Sequence, residues 1–328
     1  MQRYGVVVIG RNEGERLIKC LQSLADQSVV YVDSGSADGS VTQSENYGAD
    51  AVELDMSVPF TAARARNAGL ESLLARHPHL EFVQFIDGDC QMAPDWLENA
   101  RRALELDTSL AAVCGRRREL NRGGSVYNLL CDMEWDTPVG MADACGGDAM
   151  YRIAAFLDVG RFDEDFIAGE EPELCYRLRS AGWRIKRIDC EMTRHDADIV
   201  QFRQWWKRSK RCGYAYALGA LEHGSSSDRY KMKSCLSVLV WGGMIPVLAI
   251  FLAFFNPWMA LLGILLSYGY LSRKIYLNSR KKRPGFSQRQ TMVYAAFVVL
   301  QKFPELSGML QCGWEHMLGR KINIIEYK

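Results

Sequence analysis

The stretch Phe82-Val83-Gln84-Phe85-Ile86-Asp87-Gly88-Asp89-Cys90 constrains the chain more than any other. Its apolar run, rich in aromatic and branched residues, predicts a buried strand that stops at two carboxylates separated by one glycine. Asp87 and Asp89 are therefore expected at a strand's carboxyl end, and in an open α/β sheet ligands bind in the crevice outside such ends. Two carboxylates this close repel unless a cation sits beside them. A hard divalent ion carrying a nucleotide diphosphate would meet that need. A solvated Asp-Gly turn competes for the same residues, so the surrounding sequence has to decide.

Charge divides the chain in two. Residues 1–199 hold 21 Lys/Arg against 34 Asp/Glu, a balance of −13, and residues 200–328 hold 19 against 5, a balance of +14. The acidic part suits a metal and a sugar nucleotide, and the basic, apolar part suits an anionic membrane surface. Nucleic acid is not expected as a partner, because the basic residues flank long apolar runs instead of lining a polar face. The ten cysteines show no C-x-x-C spacing and several sit in apolar elements, which fits reduced thiols in the cytosol. The opening apolar run, Gly5 to Ile9, is too short for a signal peptide.

Along the chain, Val6-Val7-Val8-Ile9 predicts a central strand, Gly10 to Glu15 a loop opening a helix through Leu17, Ile18, Leu21 and Leu24, and Val29-Val30-Tyr31-Val32 a second strand ending at Asp33. Strand, helix and strand within some thirty residues form a βα unit, and its repetition implies a mostly parallel sheet. Asp33 then points into the same crevice as Asp87 and Asp89. A short strand at 51–54 and a helix opened by Arg64-Ala65-Arg66-Asn67-Ala68-Gly69 lead into the strand at 82–87.

The ordered set Val8-Ile9 with Asn12-Glu13, Val32-Asp33-Ser34-Gly35-Ser36-Ala37-Asp38, Ala65-Arg66-Asn67-Ala68-Gly69 and Asp87-Gly88-Asp89 resembles a membrane-anchored, inverting bacterial family 2 glycosyltransferase of the GT-A fold, of the exopolysaccharide or glycolipid type. The resemblance covers roughly residues 4–198. It implies an α/β, Rossmann-like sheet flanked by helices, and a donor site in which Asp33 and the turn of Ile9, Asn12 and Glu13 hold the base. It also implies that Arg66 lies near the nucleotide, and that Asp87 and Asp89 bind ribose and the metal-diphosphate through Mn²⁺ or Mg²⁺. Ala144-Cys145-Gly146-Gly147-Asp148 resembles the family's acceptor-side segment, and paired glycines permit close backbone approach; an ordinary tight turn would read the same.

Gly169-Glu170-Glu171-Pro172-Glu173-Leu174 and Gly182 mark a helix start and stop. Capping alone would account for the three glutamates. The resemblance instead makes the acidic pair Glu170-Glu171 the seat of the general base, with Glu171 at the base position where the family usually has Asp, and Glu173 as rival. The segment 183–188 predicts a strand that feeds His195, either a structural histidine or a third metal ligand beside Asp89. Trp135 is a candidate for stacking on an acceptor sugar or for the core.

Residues 200–234 interleave Phe202, Trp205, Trp206, Tyr214 and Tyr216 with Arg203, Lys207, Arg208, Lys210 and Arg211, the pattern of an amphipathic helix in a membrane interface. Cellulose and chitin synthases carry Q-x-x-R-W in this region; Gln201-Phe202-Arg203-Gln204-Trp205 has Gln in the arginine slot, which argues against a processive polymerase. Leu236 to Phe255 is twenty residues without a charge, and Trp258 to Leu271 a second, shorter run that spans or re-enters. Basic outer flanks make 235–271 a transmembrane hairpin with both ends in the cytosol, followed by a basic loop and helical region over 272–328. The catalytic domain, 1–199, would face the cytosol at the inner membrane.

The expected function is transfer of a sugar from a nucleotide-diphosphate sugar to a hydroxyl of a lipid-linked or saccharide acceptor in cell-envelope or exopolysaccharide biosynthesis, with membrane lipids as further partners. A polyprenyl-phosphate monoglycosyltransferase and a nucleotide-sugar-binding membrane scaffold are the alternatives.

Overall fold

The computed structural model describes residues 3–319; the last part of the region expected over 272–328, residues 320–328, lies outside the described residues. The chain divides into two compact units, Met1–Gly123 with Pro138–Asp198, and Gly124–Thr137 with Ile199–Lys328.

The first unit begins with β1 (Tyr4–Gly10), α1 (Glu15–Gln22), β2 (Val29–Asp33), α2 (Ser40–Asn46), β3 (Asp50–Glu53), α3 (Ala62–Arg76) and β4 (Phe82–Asp87). There follow β5 (Cys90–Met92), α4 (Trp96–Leu106) and β6 (Leu110–Glu119), and, after α5 (Val126–Trp135) of the second unit, β7 (Gly140–Met141), β8 (Ala149–Arg152), α6 (Ile153–Asp158), α7 (Glu170–Ser180) and β9 (Arg184–His195). The sheet has nine strands in the order β3-β2-β1-β4-β8-β6-β9-β5, with β7 on β9. Strands β1, β2, β3, β4, β6 and β9 run one way and β5, β7 and β8 the other, a mixed and mostly parallel sheet.

This arrangement places the site. The β1 run Val6-Val7-Val8 is wholly buried, as a central parallel strand covered on both faces must be. From β1 the chain winds outward through β2 and β3, then returns to add β4 on the other side, so the direction of winding reverses at β1 and β4. A crevice opens at such a reversal, outside the carboxyl ends of the strands. Register brings Gly10 beside Asp33 and Ile9 beside Asp87, so the carboxylates ending β2 and β4 flank the end of β1. Beneath them Phe85, Tyr151, Phe156 and Phe162 pack as a cluster of edge-on and tilted rings, a rigid floor for polar groups above.

The second unit is helical: α5 with α8 (Phe202–His223), α9 (Met232–Val238), a π-helical segment (Leu239–Met244), α10 (Ile245–Ala253), α11 (Pro257–Lys282), α12 (Gln288–Leu300) and α13 (Lys302–Met317). Asn128 of α5 accepts from the Ile199 backbone N–H at 3.1 Å, and Tyr127 stacks on Trp205. Among the described residues one helix, Met232–Ala253, is long and apolar enough to cross a membrane. The second apolar run, Trp258 to Leu271, forms the first half of α11, and the helix continues through Arg273, Lys274 and Arg280 to Lys282. Its Trp258, Met259, Leu262, Leu265 and Leu266 are exposed.

Candidate active site

Two loops shape the near wall of the crevice. Asn12 donates its backbone N–H to Ser36 Oγ at 2.9 Å and accepts at Oδ1 from the Ala37 N–H at 2.8 Å, while Asp38 accepts from the Gly14 N–H at 2.9 Å. Asp33 is buried, with Oδ1 accepting from Tyr31 and Oδ2 from the Gly35 and Ser36 backbone N–H groups. Its carboxylate thus holds the loop in shape. Glu13 pairs with Arg16 at 2.9 Å, and the Ile9 carbonyl accepts from Gly88 N–H at 2.8 Å, which fixes the Asp87-Gly88-Asp89 turn to the end of β1.

Antiparallel pairing of β5 with β9 sets Cys90 opposite His195, which brings the imidazole back to the turn. His195 Nε2 lies 3.3 Å from Asp89 Oδ1, and ligand atoms of Asp87, Asp89, Cys90 and His195 all fall within 4.8 Å of one another. Burial pushes the His195 pKa down to about 4, helped by Arg117, so the ring is neutral at pH 7 with a lone pair to give. Burial pushes the Cys90 thiol well up, so it stays protonated. Two carboxylates and a neutral imidazole form a donor set suited to Mn²⁺ or Mg²⁺, and the thiol adds nothing a hard ion would select.

Arg66, on the first turns of α3 behind the Thr61 cap, is the charge centre of the site. Its buried guanidinium meets Asp87 Oδ1 at 2.9 Å, Glu170 Oε1 at 2.9 Å and Glu171 Oε1 at 3.4 Å. Burial alone would raise the Asp87 pKa, but Arg66 and Arg117 outweigh it and hold the carboxyl below its usual range. Glu171 behaves oppositely: burial and neighbouring Glu170 push it from 4.5 up to about 7, against the pull of Arg66. Glu173 faces away, with both oxygens on Arg177 at 2.6 and 2.7 Å. Glu171 is therefore the glutamate of this pair that shares the cluster with Arg66 and Asp87.

The acceptor candidates separate. Gly147 abuts the cluster: a Cβ there would lie 2.5 Å from Arg66 Nη2, 3.0 Å from Glu171 Oε1 and 3.1 Å from Asp87 Oδ2. Arg66 is pinned by three carboxylates and cannot swing aside. Gly147→Ala is expected to lower stability by about 1–3 kcal/mol through overpacking and to weaken nucleotide binding, read by thermal melting with and without nucleotide. Gly146 is exposed, with Arg117 the side chain nearest its Cβ direction. Asp148 is fully buried and accepts from Thr193 at 2.6 Å, Arg117 at 2.7 Å and the Asp87 N–H at 3.2 Å. Through the Asp87 N–H it helps to position Asp87. Trp135 ends α5 and is half-buried within the second unit. Arg117, absent from the sequence reading, lies 3.9 Å from Asp87 Oδ2. Only strand alternation within Arg116-Arg117-Arg118 could have marked it, and three arginines in a row hide that signal.

The profile of the family Glycosyl transferase family 2 matches residues 5–156, which hold β1 through β8 and all of the site except α7 and the end of β9. Residues 5–156 are a family 2 glycosyltransferase domain. The chain is 28% identical over 232 aligned residues to the pre-mycofactocin glycosyltransferase of Mycobacterium tuberculosis, an alignment covering 66% of this chain and 47% of that protein. The chain thus spans about half the length of the curated relatives it matches. Among solved structures, the mannosyltransferase PcManGT of Pyrobaculum calidifontis, in complex with GDP-Man and Mn²⁺, superposes with a TM-score of 0.56 at 17% identity over 95% of this chain and 87% of its own. S. aureus TarS 1–349 gives 0.50 at 16% identity over 100% and 95%. At these identities the likeness establishes the fold, GT-A.

Proposed function

We propose that the chain transfers a sugar from a nucleotide-diphosphate sugar to a hydroxyl of a lipid-linked or saccharide acceptor, with inversion at the anomeric carbon. The observation that carries this reading is the joining of two groups at one guanidinium nitrogen: Asp87, of the Asp87, Asp89 and His195 donor set, and Glu171 both meet Nη2 of Arg66. Asp89, Asp87 and His195 would hold Mn²⁺ or Mg²⁺, which when bound neutralises charge on the departing diphosphate. The PcManGT complex with GDP-Man and Mn²⁺ supports a donor of this class and a metal of this type.

The protein's own groups supply the rest. Glu171 accepts the proton of the attacking hydroxyl, and a pKa of about 7 keeps it both ionised enough and basic enough for that at neutral pH. Arg66 fixes the Glu171 and Asp87 oxygens relative to one another. Association with the cytoplasmic membrane is supported by the helix Met232–Ala253, the exposed apolar side chains of α10 and α11, and the basic residues of α8. We place the catalytic domain, 1–199, on the cytosolic side, with 200–234 at the interface and 235–271 as the anchor.

Incubation with labelled nucleotide sugars and a lipid extract tests the reading. The expected product carries the label in glycosidic linkage, with anomeric configuration opposite to the donor's. Retained configuration would overturn inversion, and a sugar on a lipid phosphate would move the assignment to a polyprenyl-phosphate monoglycosyltransferase. Asp89→Ala is expected to abolish the product at any Mn²⁺ concentration while leaving the fold intact by circular dichroism.

A further inference from the structure

The helical unit holds a partly open cavity of about 210 Å³ lined from α5, α8, α12 and α13. Its walls alternate two kinds of surface. Trp205, Tyr216, Tyr294 and Phe297 present rings, and between them stand two ion pairs, Arg208 with Glu134 at 2.8 Å and Lys302 with Glu305 at 2.7 Å. Glu305 is almost fully buried and also accepts from Gln301 at 2.8 Å.

Packing alone gives no reason for this arrangement. Glu134 is exposed on its outer side, but the Lys302–Glu305 pair is buried, and replacing such a pair with apolar side chains of similar volume is often neutral or stabilising, while a void left open costs the contacts that would fill it. A unit otherwise rich in Leu, Ile and Phe keeps four charges around an open space instead. The space is also held rigidly. Helices α8 and α13 approach so closely that a Cβ on Gly213 would fall 1.9 Å from the Glu305 carbonyl oxygen, and one on Gly308 would fall 1.9 Å from that of Lys210. Tyr214 adds a hydrogen bond to Glu315 at 3.0 Å between the same helices. The cavity is therefore preformed, which lowers the ordering cost of binding.

We infer that this cavity is a binding site for a single neutral sugar ring, separate from the donor site of the first unit. The lining charges sum to zero and each cation already has its carboxylate, so an anion would have to displace a partner, whereas a polyol fits between them. Hydroxyl groups donate to the carboxylates of Glu134 and Glu305 and accept from Arg208 and Lys302. The apolar C–H face of the ring lies against the aromatic walls, which combine a hydrophobic surface with polar tips. The volume is below the roughly 300–1,000 Å³ of sites for drug-sized ligands, so it admits one ring and not a chain. The ring's source is either a soluble saccharide or the headgroup of a glycolipid. This site stands whether or not the transfer reaction is assigned correctly.

The test uses the full chain in a detergent without sugar headgroups. Methyl glucosides, galactosides and mannosides are titrated against the intrinsic tryptophan fluorescence, and phosphatidylcholine vesicles with and without a monohexosyl diacylglycerol form the second arm. Saturable binding in either arm is expected, unchanged by EDTA and in Asp89→Ala, and weakened about tenfold or more in Glu134→Gln, the loss of one charged hydrogen bond. Val298→Phe, which fills the cavity, is expected to remove binding while the helical circular dichroism is kept; should it fail to fold, Tyr216→Phe is expected to weaken binding with the fold intact. The arm that saturates names the source. No saturation in both arms, binding indifferent to Glu134→Gln and Tyr216→Phe, or binding lost on chelation would each overturn the inference.

Discussion

Glu171→Gln is expected to lower sugar transfer by about 10²–10⁴-fold, the range for loss of a positioned general base, while nucleotide binding stays near that of the unsubstituted protein. The amide keeps the shape and the approach to Arg66 but cannot take a proton. The same substitution should make the protein more stable at alkaline pH. With its pKa raised from 4.5 to about 7, folded Glu171 binds its proton more tightly than the unfolded chain does. Stability from that preference is complete below 4.5 and is lost as pH rises through 7. Above pH 7 the ionised carboxylate therefore strains the fold, by on the order of 3 kcal/mol at most, and glutamine removes the strain. Melting temperatures of the two proteins should nearly coincide at pH 5 and diverge in favour of the Glu171→Gln variant by pH 8. Wild-type transfer rates together with a melting difference that does not change with pH would pass the base role to another group.

Arg66→Met should have the largest effect on folding. It leaves Asp87, Glu170 and Glu171 facing one another without their shared cation, and removing one partner of a buried pair typically costs about 3–5 kcal/mol. Without the guanidinium Asp87 and Glu171 hold protons more readily, so the loss is greatest at pH 8 and partly recovered near pH 5. Arg66→Lys should restore some stability but less donor binding, since an ammonium cannot bridge three carboxylates with planar geometry. Denaturant titrations at the two pH values measure this directly. A variant as stable as the parent at pH 8 would mean that the cluster is held by other contacts.

Much of this was legible in the residues themselves. The strand ending at Asp87, the βα repetition and the helix opened by Gly169 follow from period and punctuation, and each is present at those positions. The choice between Glu171 and Glu173 was not legible, for a geometric reason. Residues two apart on an α-helix point about 200° from one another, so only one of them faces the crevice, and sequence does not reveal the helix's rotation. Likewise, the strand predicted over 183–188 extends to His195, because its far half is held by pairing with β5 and β6, contacts distant in sequence. Asp148 follows Gly146-Gly147 in the chain yet is fully buried, which the sequence alone does not show. Its burial depends on Thr193 and Arg117, neither of which lies near it in the chain. In the helical unit, α11 runs past the end of its apolar stretch because nothing in Ser272-Arg273-Lys274 breaks a helix.

The most direct measurement of the central claim is calorimetric titration of the solubilised protein with a panel of nucleotide-diphosphate sugars, in Mn²⁺ and then in EDTA, beside Asp89→Ala. Binding of a donor that requires Mn²⁺ and disappears in Asp89→Ala is the result expected from a donor set of Asp87, Asp89 and His195. A donor that binds equally well in EDTA and to Asp89→Ala would contradict it.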